Sequence, residues 1–82
     1  MPAQKSSTHA PLSAEAAKVL ASAVRDARKS AGLTQEALGE RSGLSIQHIR
    51  RIEAASANPT LGSLEAVAKA LQVSLVDLVK SS

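Results

Sequence analysis

The stretch GLTQEALGERSGLSIQHIRRIE, Gly32 to Glu53, reads as two short helices with almost nothing between them. Thr34 is an N-cap residue, and a helix from about Gln35 to Arg41 turns Ala37 and Leu38 inward. Ser45 caps a second helix, about Ile46 to Ala54, with Ile49 and Ile52 inward. Only SGL, residues 42–44, separates the two, and Gly43 can take the positive φ that such a corner needs. The second helix carries Gln47 and the adjacent Arg50 and Arg51 on the side left over for a partner or for solvent.

On either side of this corner the chain continues in helical periods. Ser13 is an N-cap with Glu15 in the first turn. Ala16, Leu20, Ala23, Val24, Ala27 and Ala31 then form one apolar stripe, which gives a helix over about Ala14 to Ala31, closed by Gly32. Thr60 caps a helix from Leu61 to Leu71 with Leu61, Leu64, Val67, Ala68 and Leu71 inward, and Ser74 caps a short one from Leu75 to Val79. No segment alternates as a strand does. The fold class is all-α: a compact five-helix domain over residues 13–82. Residues 1–12, polar and with Pro2 and Pro11, read as a flexible tail. Lys5 and His9 give it a basic character suited to a minor groove.

Eighty-two residues allow one small domain, and a domain near this size buries only about 60% of its unfolded surface. With no cysteine, disulfides and thiolate metal sites are excluded, and His9 and His48 are too far apart to argue for a metal. No cofactor is implied. Close packing and self-association are the remaining sources of stability. There is no Phe, Tyr or Trp, so base stacking on aromatic rings is excluded and duplex DNA is the better nucleic-acid partner. The net charge is +3, and the excess of cations falls entirely before Ala54. That is the pattern of a chain whose first two-thirds meets a polyanion. No apolar run has the length of a membrane span or the character of a signal peptide, which points to the cytoplasm, and to the nucleoid for a DNA binder. No triad or glycine-rich phosphate loop can be argued, so the chain is not expected to be an enzyme.

Two helices joined by a three- or four-residue turn containing Gly make a helix-turn-helix. RKSAGLTQEALGERSGLSIQHIRRIE, followed by NPTLGSLEAVAKALQVSLVDL, resembles the Cro-like helix-turn-helix family of phage repressors and small bacterial regulators, over about Val24 to Val79. The resemblance implies a lambda-repressor-like DNA-binding domain, a homodimer on a pseudo-palindromic operator. By the same resemblance Gln35 contacts a phosphate and supports the recognition helix, Ser45 touches the DNA backbone, and Ile46, Gln47 and Arg51 face bases. Gln pairs bidentately with adenine and Arg with guanine, while Ile packs on a thymine methyl. His48 and Arg50 flank this face and are expected at phosphates or outer bases. Asn58 and Thr60 match phosphate-binding positions. Arg28 and Glu53 match an ion pair that clamps the first helix to the third, and Val76 and Val79 are expected at the dimer face. Where relatives often carry Gly, this chain has Ala55, and the third helix is expected to extend slightly.

A second class of function fits the same fold. An antitoxin-like module covers a partner protein, here through the N-terminal tail, and also binds its own promoter. A role in a phage lysis–lysogeny switch is a third.

Overall fold

The computed structural model describes residues 12–80. Five helices follow one another: α1 (Ala14–Ser30), α2 (Gln35–Ser42), α3 (Ile46–Glu53), α4 (Leu61–Ala70) and α5 (Leu75–Lys80). No strand occurs among the described residues. Each helix begins where a side-chain oxygen takes up an otherwise orphaned backbone N–H. Ser13 accepts from Ala16, Thr34 from Ala37, Ser45 from His48, Thr60 from Ser63 and Ser74 from Asp77, all at 2.9–3.0 Å.

The helix ends are equally regular. At α1 the Leu33 N–H reaches the Arg28 carbonyl and Gly32 (φ 73°) that of Lys29, a Schellman closure. At α4 the Val73 N–H reaches Ala68 and the Gln72 N–H reaches Lys69. At α3 the Ser56 N–H reaches Arg51 and the Ala55 N–H reaches Ile52. Gln72 and Ala55 both sit at φ 60°. The expected extension of α3 through Ala55 is therefore overturned: the helix stops at Glu53, and Ala55 takes the left-handed turn that a glycine would take at lower cost.

Helices α2 and α3 pack on each other, α1 packs on α3 and α5, and α4 packs on α2 and α5. Their shared core is aliphatic: Leu20, Ala23, Val24, Leu38, Ile49, Ile52, Leu64, Val67, Ala68, Leu71 and Leu78. Gly39 on α2 lets the corner close. A Cβ there would lie 2.9 Å from the Leu44 carbonyl oxygen, a backbone atom that cannot swing away. Leu61 departs from its expected place. It is 67% exposed, because the apolar stripe of α4 runs past the edge of the core in the helix's first turn. Ala31 and Ala54, expected as last residues of their helices, are exposed caps just beyond them.

Candidate nucleic-acid interface

The sequence of α3 divides cleanly by side. Ile49 and Ile52 are buried, whereas Gln47, Arg50 and Arg51 are exposed and Ile46 and His48 are half-buried. Gln47 and Arg51, four residues apart, share one helical face. At the start of α3 the Ser45 oxygen accepts from the His48 N–H at 3.0 Å, which leaves the hydroxyl hydrogen free to donate. The isoleucines anchor the helix in the core and turn its polar side to solvent. The partial positive charge of a helix N-terminus adds to the attraction of this side for anions.

The other end of α3 is held by a polar network. Glu53 is 5% exposed, the only buried charged residue among those described. The Arg28 guanidinium grips it bidentately, Nε to Oε2 at 2.7 Å and Nη2 to Oε1 at 3.0 Å. Arg28 Nη1 also donates to the Leu33 carbonyl at 2.8 Å. Gln35, the first residue of α2, donates its amide to Glu53 Oε1 at 3.0 Å. The hydrogen bonds to Glu53, with its charge as a smaller contribution, hold the Arg28 guanidinium above its ordinary pKa against the opposing effect of burial. Every buried side-chain polar atom among the described residues has a partner.

The remaining residues expected at the interface stand as follows. Gln35 has spent one amide hydrogen on Glu53 and retains the other. Asn58 accepts the Leu12 N–H at 2.9 Å through Oδ1, so its NH2 group is the part free to donate. Thr60 accepts the Ser63 N–H and donates its hydroxyl to Ser63 Oγ at 3.1 Å. Its side chain caps α4 and stays exposed at the start of that helix. Val76 and Val79 lie on α5, away from this network; both are exposed, at 60% and 48%. Val79 joins Leu12, Val19, Pro59 and Leu61 along an apolar groove of about 440 Å³. The expectations for Lys5 and His9 lie outside the described residues.

Three participants escaped the sequence reading: Gly39 at the corner, Arg25, and the Asn58–Leu12 bond. Arg25 Nη1 donates to the Glu53 carbonyl at 2.9 Å. Its three-residue offset from Arg28 on α1 was the available signal, because it puts both cations on one side of that helix.

A helix-turn-helix family model matches residues 24–78. An uncharacterised HTH-type transcriptional regulator of Sinorhizobium fredii, y4dJ, is 46% identical over 52 residues, 63% of this chain and 68% of the relative. A second from the same organism, y4dL, is 43% identical over 53 residues, 65% of this chain and 27% of its own length. Among solved structures, the restriction-modification controller protein C.Esp1396I superposes with a TM-score of 0.76 at 33% identity, covering 80% of this chain and 87% of that one. The controller protein C.AhdI of Aeromonas hydrophila gives 0.74 at 27% identity, covering 76% and 94%. The clp gene regulator ClgR of Corynebacterium glutamicum gives 0.76 at 26% identity, covering 79% and 69%.

Proposed function

Because this chain belongs to the helix-turn-helix family, within which its relatives are named as transcriptional regulators, we propose that it is a sequence-specific regulator that binds double-stranded DNA. The observation that carries this reading is the division of α3: isoleucines buried beneath, Gln47, Arg50 and Arg51 exposed above. In this reading α3 lies in the major groove, with Ile46, Gln47 and Arg51 at base edges. Ser45, His48, Arg50 and the free amides of Gln35 and Asn58 meet the DNA backbone. Thr60, at the start of α4, adds a further backbone contact.

The working form is a homodimer on a pseudo-palindromic operator, its two copies of α3 about 34 Å apart on one face of the DNA. Exposed Val79, in the groove with Leu12, Val19 and Leu61, and exposed Val76 one turn before it on α5 support a second copy as the cover for this side.

Selection of bound sites from a random duplex pool at near-physiological salt tests the proposal, since lower salt inflates non-specific binding. The expected result is an inverted repeat with half-sites about one helical turn apart. Arg51→Ala should then cost roughly 1–3 kcal/mol on that site and relax one base pair. Weak, salt-sensitive binding with no enriched site would overturn the proposal in favour of the partner-protein reading.

A further inference from the structure

A helix leaves its last four carbonyls without intrahelical donors. In α3 these belong to Arg50, Arg51, Ile52 and Glu53. Ala54 N–H takes the first, Ser56 N–H the second and Ala55 N–H the third. The fourth, the Glu53 carbonyl, is taken by Arg25 Nη1 from α1 at 2.9 Å. Arg28, one turn further along α1, holds the carboxylate of the same residue. So α1 grips the final residue of α3 by main chain and side chain at once. Arg28 and Gln35 hold the Glu53 side chain, and the Arg25 bond alone holds the main-chain carbonyl of that residue. A cation at a helix C-terminus is also favourable to the helix dipole.

We infer that Arg25 is a positioning residue for DNA reading: its bond to the Glu53 carbonyl fixes the C-terminal end of α3 and so the aim of Arg51, two residues before. The inference rests on the DNA-binding function proposed above. Arg25 touches no base in this scheme and acts through α3 alone.

The test compares Arg25→Met, which keeps the stem and deletes the donors, with Arg25→Lys, which restores a charged donor. Binding is measured on the selected site and on random duplex over a range of salt, with thermal unfolding in parallel. Arg25→Met should weaken binding to the selected site roughly threefold to tenfold, the worth of one side-chain hydrogen bond, and leave random-duplex binding unchanged. Arg25→Lys should recover part of the loss. In the free protein the Ala54 amide resonance should shift in Arg25→Met, because Ala54 N–H and the Glu53 carbonyl share one peptide group.

A uniform loss on both DNAs, with the salt slope reduced by about 0.9, would make Arg25 a phosphate contact and overturn the inference. Full discrimination by a folded Arg25→Met would overturn it as well, while leaving the regulator reading intact. A wild-type protein without sequence preference would overturn that reading first, and the positioning role with it.

Discussion

The C-terminal end of α3 and the groove beside α5 differ in how much of their chemistry one chain completes. At α3 a buried carboxylate is surrounded by Arg28 and Gln35, its carbonyl is taken by Arg25, and no buried side-chain polar atom among the described residues lacks a partner. Beside α5 the balance is reversed: Leu12, Val19, Leu61, Val76 and Val79 all remain exposed. On the DNA-binding function proposed above, the reading surface has to hold its shape before DNA arrives, so the chain itself must satisfy the groups that orient it. An apolar surface can stay uncovered, because exposed aliphatic groups lose nothing irreplaceable in water and gain on burial.

Substitutions separate the two regions. The largest effect is expected at Glu53→Ala. It leaves the Arg28 guanidinium, 12% exposed, with only the Leu33 carbonyl, and removing one partner of a buried pair costs about 3–5 kcal/mol. Denaturant unfolding measures it; a cost below about 1 kcal/mol, the surface-pair range, would mean that the network is not what holds α3. Arg28 also sets a pH expectation. Its pKa is raised in the folded state, so the stability it adds is fully present below the ordinary arginine value and is lost only as pH rises through the folded value. Unfolding free energy between neutral and moderately alkaline pH should accordingly show no loss traceable to this residue.

Next comes Gly39→Ala. The added methyl meets the Leu44 carbonyl oxygen at 2.9 Å and can be accommodated only by opening the corner. Overpacking of this kind costs about 1–3 kcal/mol, which a thermal melt should register, and self-association through α5 should be unaffected. On the opposite side, Val76→Asp or Val79→Asp should weaken self-association about tenfold each, near 1.4 kcal/mol, by sedimentation equilibrium. The monomer's unfolding should change little, because both valines are already exposed. A large loss of monomer stability instead would show that α5 needs these side chains for its own packing.

The sequence announces polar starts of helices better than their ends. Ser13, Thr34, Ser45, Thr60 and Ser74 are legible because capping is local: one side chain and a backbone N–H three residues on. Gly43 is legible at the corner for the same reason. Gly39 is not, since its role depends on a backbone oxygen five residues away that arrives only when α2 and α3 pack. Leu61 misleads because periodicity gives the face of a helix and not how far the core extends beneath it. The Arg28–Glu53 pair could be marked only through family resemblance. Arg25 shows only as a second cation on Arg28's side of α1, and its partner stays hidden because the acceptor is a carbonyl, which leaves no trace in residue type.

Ala55 is the most instructive case, and it carries the smallest expected effect. Its side chain gives no sign of a turn, yet the backbone sits at φ 60°. The reason lies in the main chain. Arg51 and Ile52 carbonyls must find donors after α3 ends, and only a left-handed residue at 55 brings the Ala55 and Ser56 N–H groups back to them. The closure is retained in spite of a conformational cost of about 1–2 kcal/mol for a residue bearing a Cβ. Ala55→Gly removes that cost and adds some entropy to the unfolded chain, so a net stabilisation of about 0.5–1 kcal/mol is expected in denaturant unfolding. The gain should appear in full in a Val76→Asp background, because the turn and the apolar groove share no partner and distant sites add. A destabilisation would mean that the Ala55 methyl makes a packing contribution larger than its backbone strain, and that the end of α3 leans on apolar contact as the α5 side does.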